Sequence, residues 1–353
     1  MPGRPMSSKA GAEKQLASFL LFAGLAAAAC WTVFGRHDLR AILLAIRGMD
    51  KKDILLAMAA SFFFVLAEGG MIWYLLRCIH GKARLLQCVG YSFIGFFFSG
   101  ITPSATGGQP MQLYYMKQDS NDLADSTVVL MSVAMIYKFV LALIGIGLLL
   151  SWRSGLVRHL GSFMWLYYLG LLLNLLTAGV LLGILLFPSL LSSIVCWGER
   201  LLVRMKLLRP SGGRPHRIAD FISGYRDTVV FFEGHKGQVL AAVLMTCIQR
   251  CSIFLLTYLV YRGFYLQQEG FLTIMALRAA ICIAVDMLPL PGAQGITELI
   301  YGTAFAGIFT GEMLPAAMCV TRGIDFYLPL CAGFLVLYGR KIKASCVKRG
   351  IVV

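Results

Sequence analysis

Residues 91–110 read Tyr-Ser-Phe-Ile-Gly-Phe-Phe-Phe-Ser-Gly-Ile-Thr-Pro-Ser-Ala-Thr-Gly-Gly-Gln-Pro. Up to Ile101 this is an apolar run. From Thr102 to Pro110 it becomes a break holding Pro103, Pro110, Gly107, Gly108 and the hydroxyls of Thr102, Ser104 and Thr106. A second break follows another apolar run, at Leu288-Pro289-Leu290-Pro291-Gly292-Ala293-Gln294-Gly295. Proline and glycine interrupt a helix and free backbone N–H and C=O groups. Inside a bilayer such groups need partners, so irregular backbone there must line a cavity or a polar ligand. Two interruptions at matching places in two halves are the sequence pointer to a transporter-type site near the midplane. The plain alternative is two surface loops with ordinary turn chemistry.

The rest of the chain favours the membrane. Of its 353 residues 58% are hydrophobic and 14% charged, with a mean hydropathy of +0.76. Soluble domains carry about 25% charged residues, and disorder needs low hydrophobicity. Continuous apolar runs also exclude a β-barrel, whose strands alternate. Runs of near-spanning length fall at about 16–34, 54–78, 85–101, 126–151, 161–187, 238–261, 271–288, 296–311 and 313–338. The runs at 85–101 and 296–311 are short and glycine-containing, and are expected to be re-entrant or broken. The fold class expected is an all-α polytopic membrane protein with roughly eight transmembrane helices plus re-entrant segments. It forms one membrane domain, 1–353, in two pseudo-repeated halves at about 15–187 and 238–340.

Net charge is +15, from 32 Lys+Arg against 17 Asp+Glu. No nucleic-acid motif accompanies it, so cytoplasmic loops facing anionic lipid are the better account. The loop at 188–237 carries Arg200, Arg204, Lys206, Arg209, Arg214, Arg217, Arg226 and Lys236. The tail carries Arg340, Lys341, Lys343, Lys348 and Arg349. The positive-inside rule puts both in the cytoplasm, with the 152–160 loop outside. If 85–101 crosses fully the N-terminus is outside; if it dips in and returns, the preferred reading, the N-terminus is inside with Arg4, Lys9 and Lys14. The first run resembles a signal peptide, but it continues past Cys30 to Phe34, so an uncleaved helix is expected. Among the ten cysteines only Cys247 and Cys251 share a helix face, and no third metal ligand stands near them in sequence. No metal and no cofactor is expected.

Several apolar runs carry charge, which is costly in a bilayer. They hold Glu68, Lys138, Arg250, Arg278, Asp286, Glu298, Arg322 and Asp325. Arg322 and Asp325, at i,i+3, are spaced to pair. Cations and free N–H groups suit a phosphate; carboxylates suit an ammonium. A lipid headgroup offers both, and an amino acid or ion would also fit. The five histidines lie in loops or at edges, and H-E-x-x-H, G-x-S-x-G and Walker A motifs are absent from the sequence. No catalytic residue is assigned.

The segment Ile101–Pro110, running on to Gln112, Tyr114 and Tyr115, resembles the first signature of the membrane domain of the lysylphosphatidylglycerol synthase/flippase (multiple peptide resistance factor) family. Leu288-Pro289-Leu290-Pro291-Gly292-x-x-Gly295-x-x-Glu298 resembles its second, and Arg322 with Phe326-Tyr327-Leu328 its third. The likeness covers about 15–340. It implies a domain that moves aminoacylated phosphatidylglycerol to the outer leaflet of a bacterial plasma membrane and so lowers sensitivity to cationic peptides. It implies phospholipid and membrane as partners. A homodimer stays open. In full-length relatives a cytosolic domain transfers lysine from lysyl-tRNA to phosphatidylglycerol. About 15 residues follow the last run and the longest loop has about 50, too few for a domain of that kind, typically 100–200 residues. Lysyltransferase activity therefore implies a separate synthase partner, and an anchor for such a partner is a further alternative.

The substrate site expected from both lines has one wall of Thr102, Pro103, Ser104, Thr106, Gly107, Gly108, Gln109 and Tyr114. The other wall is Pro289, Pro291, Gly292, Gly295 and Glu298. Glu68, Lys138, Arg322 and Asp325 supply charge, with Arg322 drawing the phosphate and Glu68 or Glu298 the amine.

Overall fold

A computed structural model describes residues 39–80, 84–187, 189, 193, 197 and 214–348. The first apolar run and residues 198–213 of the basic loop lie outside them. The described residues form helices and no strand. The reason is the solvent: in hydrocarbon a helix satisfies its own backbone, whereas an open sheet edge cannot.

In chain order the helices are α1 (Leu39–Arg47), α2 (Lys51–His80), α3 (Leu85–Ile101), α4 (Gly108–Gln118), α5 (Leu123–Leu160) and α6 (Met164–Leu186). They continue with α7 (Arg214–Gly234), α8 (Lys236–Gly263), α9 (Phe271–Val285), α10 (Ile296–Phe305), α11 (Met313–Arg322) and α12 (Leu328–Lys348). Short 3₁₀ turns at Pro103–Ala105 and Pro291–Ala293 sit in the two breaks, and a π turn, Gly323–Tyr327, joins α11 to α12. By length and composition Lys51–Ile79, Leu123–Leu186, Lys236–Gly263 and Met313–Ile342 can cross a membrane. The second of these folds back at Gly161 (φ +50°) into two antiparallel legs, tied where the Tyr167 hydroxyl donates to Gly145 O (2.8 Å). The chain is thus a polytopic all-α membrane protein.

Cross-contacts fix the direction of each leg. Helices α2 and α8 are antiparallel: Asp50 N donates to Gly263 O (2.9 Å), Gln249 Nε2 to Phe64 O (2.9 Å), and Thr246 lies against Met71. Helices α3 and α4 form a hairpin. Tyr91 donates to Asp119 (2.6 Å) at its open end, and Gly108 packs on Gly95 O and Ser99 near its tip. This hairpin enters and leaves at the end of the molecule that holds Arg340, which pairs with Asp119. Helices α9 and α10 form the second hairpin. Its open end carries Phe271 against Tyr258 (4.9 Å) and Phe309 against Tyr261 (5.8 Å), at the Gly263 end. One hairpin therefore enters from each side, and the 3₁₀ turns at their tips meet in the interior.

The order long helix, short helix, break, short helix, crossing helix occurs twice with opposite direction. Lys51 and Lys236 open the long helices, Ile101 and Val285 close the short ones, and Lys138 and Arg322 stand on the crossing helices, each pair 184 or 185 residues apart. This is the inverted-repeat layout in which ligand sites sit at the repeat interface.

Three expectations need correction. Residues 152–160 are not a loop. The helix runs on to Leu160 through a kink at Trp152 (φ −142°, ψ 33°), where the indole stacks on His159 (5.9 Å), and the turn falls at 161–163. The 188–237 loop contains α7, which packs on α5 through Thr228 and Asp125 (2.6 Å). Arg322 and Asp325 do not pair. The π turn between them rotates the two side chains apart, so Arg322 meets Glu298 and Asp325 meets Arg278.

Candidate functional site

The second break is built on left-handed backbone. Gly292 (φ +58°), Ala293 (φ +49°) and Gly295 (φ +84°) turn the chain between Pro291 and α10. Only glycine suits the first of these, since a Cβ there would strike the Phe326 ring. The backbone groups released by the break are taken up by two charged side chains. Glu298 accepts from Gly295 N (2.6 Å) with one oxygen and from Arg322 Nε (2.7 Å) with the other. Arg322 also donates to Gly292 O (2.9 Å), and its guanidinium lies over Phe326 (4.9 Å). With Arg322 and Glu298 buried, this is a clamp: two formal charges hold an irregular turn in place.

The first break is held by its own hydroxyls. Thr102 donates to Phe98 O (2.7 Å) and accepts from Gly107 N (2.9 Å), while Thr106 donates to Pro103 O (2.9 Å). Gly107 and Gly108 leave no room for a Cβ, against Thr102 and Ser99 respectively. Their requirement is close hairpin packing. Pro103, Gln109, Tyr114 and Pro289 are exposed, and Tyr114 packs edge-on against Tyr115. Pro291 is buried behind the second turn. Ser104 lies in the first turn, and its side chain is outside the described residues.

Between the tips lies a cavity of about 200 Å³. Ser99, Gly100 and Ala105 line it from the first hairpin, Asp286, Leu288 and Gly292 from the second, and Phe326 from the π turn. Asp286 is held on its far side by Tyr137 and Lys138 of α5. Beyond them Arg250 is sandwiched between the rings of Tyr137 (4.0 Å) and Phe64 (4.4 Å). Glu68 accepts from buried Gln112 of α4 (2.8 Å). The charged residues read from the sequence are thus held in separate contacts, Lys138 with Asp286, Arg278 with Asp325, Arg322 with Glu298, Glu68 with Gln112 and Arg250 between two rings, four cations against four carboxylates. Balance of this kind keeps the cost of intramembrane charge tolerable.

Of the expected site residues, Gly292 faces the cavity. Lys138 reaches it through Asp286. Glu298 and Arg322 support its wall, and Glu68 and Asp325 lie in the surrounding charge network. The hydroxyls of Thr102 and Thr106 turn back on their own hairpin. The selection missed Gln112, Tyr137, Arg250, Arg278 and Asp286. The three charged ones were visible as charges in apolar runs. Gln112 stood in the first signature without a role, and Tyr137 in an apolar run; the role of each comes from a partner 44 or 149 residues away.

A sequence profile described as the lysylphosphatidylglycerol synthase TM region matches residues 15–333, taking in both hairpins and ending within α12. The chain belongs to this family. A relative, the UPF0104 membrane protein PH1989 of Pyrococcus horikoshii, is 25% identical over 324 residues, covering 88% of this chain and 90% of its own length. The similarity therefore extends over a membrane domain of this family as a unit, without a large added segment in that relative.

Proposed function

We propose that the protein binds a phospholipid headgroup between its two hairpin tips and moves the lipid across the membrane. The observation that carries this reading is the cavity at the meeting of two oppositely entering hairpins, edged by Asp286 and surrounded by balanced charge. A zwitterionic headgroup, phosphate plus amine, is the ligand such a surface suits. The family's name supports aminoacylated phosphatidylglycerol or a related anionic phospholipid as substrate. Translocation would proceed by alternating exposure, with the inverted halves exchanging roles about the fixed tips. The Arg340 end, where the basic tail and α7 emerge, is the cytoplasmic end in this reading, and the membrane is the bacterial plasma membrane.

The test uses purified protein in liposomes with fluorescent phosphatidylglycerol, with and without a lysyl headgroup, in both leaflets. A membrane-impermeant quencher is then added. Quenching past the outer-leaflet half, lost in Asp286→Asn, is the expected result. Quenching that stops at half for both lipids refutes translocation by this chain alone.

A further inference from the structure

Helix α1 has two opposed faces. Ile42, Ala45 and Ile46 lie on one, packed into the core where α1 meets α11; Ile42 is buried, as is Met49 just beyond the helix. Arg40, Leu43, Leu44 and Arg47, at i, i+3, i+4 and i+7, lie on the other. Leu43 and Leu44 are 58% and 66% exposed. The chain then turns at 48–50 into α2, where exposed Lys51 and Lys52 are followed by exposed Leu55 and Leu56. The stretch is fixed at the Gly263 end by Asp50 N donating to Gly263 O (2.9 Å) and by Met49 against Gly263.

The nearby carboxylates are already engaged. Asp53 is buried and paired with Arg262, and Asp50 accepts from Lys52 N (2.8 Å). The side chains of Arg47, Lys51 and Lys52 are exposed and have no ion-pair partner among the described residues. In the orientation given above this is the outer end, where the positive-inside rule places few such residues. Topology therefore does not account for them. Exposed leucines beside long cationic side chains are the pattern of an interfacial segment: the leucines enter the acyl boundary and the cationic heads reach up to phosphates. The leucines run on into α2, which is long and apolar enough to span, so a bilayer is favoured over a protein as the occupant.

We propose that α1 and the start of α2 form a docking surface for anionic phospholipid headgroups of the leaflet at the Gly263 end, with Arg47, Lys51 and Lys52 holding the phosphates and Leu43 and Leu44 entering the acyl layer. The surface lies outside the charged core and does not require that the protein translocate anything. Because α1 packs on α11, which ends at the clamp residue Arg322, lipid held here braces the helix that carries the clamp.

The test takes the full chain in phosphatidylcholine nanodiscs with a trace of photoreactive phosphatidic acid or, in parallel, photoreactive phosphatidylcholine, the reactive group lying at headgroup level. Crosslinks are mapped by peptide mass spectrometry. Enrichment of the acidic lipid over the choline lipid on residues 40–56 is expected, falling as salt rises. A cation near an anionic surface is worth about fivefold in this ratio. Lys51→Gln should therefore lower it about fivefold, and Arg47→Gln/Lys51→Gln/Lys52→Gln should abolish the preference. Arg158→Gln, exposed on α5 at the same end, should leave it unchanged. Leu43→Ser/Leu44→Ser keeps the charges and should lower crosslinking by both lipids. Circular dichroism and gel filtration check folding; should the triple variant not fold, Lys51→Gln alone decides. Equal labelling of the wild type by the two lipids, or an unchanged ratio in the triple variant, overturns the proposal. A dimer in light scattering that dissociates in Leu43→Ser/Leu44→Ser also overturns it and puts a second copy on this face. Failure of the liposome assay with these crosslinks intact would remove translocation and leave this surface standing.

Discussion

Replacing Arg322 by methionine separates two roles for the residue that the sequence singled out. In the structure its guanidinium is engaged by Glu298 and the Gly292 carbonyl, and the side chains of Arg322 and Glu298 are 11% and 8% exposed. Removing one partner of a buried pair leaves the other charge uncompensated, at a cost of about 3–5 kcal/mol. Glu298 would keep its bond from Gly295 N, which places the loss toward the lower end of that range. Glu298→Gln can still accept from Gly295 N, and so should cost less than Arg322→Met. The double variant Arg322→Met/Glu298→Gln carries no bare charge and should regain about 1–3 kcal/mol of coupling relative to the sum of the single changes. The assay is reversible unfolding in mixed micelles, read as a double-mutant cycle. A cost for Arg322→Met below about 1 kcal/mol, with zero coupling to Glu298, would refute the clamp and return Arg322 to the role of a free phosphate ligand.

Three further outcomes follow from packing and topology. Gly170→Ala places a Cβ against the backbone of Ile283 and Ala284, where α6 and α9 touch, and should destabilise by about 1–3 kcal/mol, whereas Gly179→Ala on the same helix enters open space and should be neutral or slightly stabilising; thermal melts of the pair compare them. In oriented vesicles Gln118→Cys and Lys341→Cys should react with an impermeant maleimide from one side and Gln267→Cys from the other; labelling of 118 and 341 from opposite sides would remove the re-entrant first hairpin. Thr228→Val, which strips the hydroxyl from the buried Asp125 carboxylate, should loosen α7 by about 1–3 kcal/mol and raise hydrogen exchange in 214–234 ahead of α5.

The two hairpins show where sequence reading stops. Apolar runs of 15–17 residues ending in Pro/Gly breaks announce broken helices. They do not state whether the next helix continues across or turns back. The run at 271–288 looked like an ordinary span, yet it is one limb of a hairpin, because α10 packs back along it toward Phe271. The charged residues divide in the same way. Sequence marks each as out of place in hydrocarbon, but pairing depends on helix rotation. One π turn was enough to move Asp325 from Arg322 to Arg278.

By itself, then, the sequence determined the solvent, the helical class and the residues too polar to be there by chance, because these follow from composition and periodicity. The tertiary structure decided that the hairpins enter from opposite ends, that their tips share a cavity, and which charged residues pair. Those depend on partners dozens to hundreds of residues apart, set by packing that no local pattern encodes.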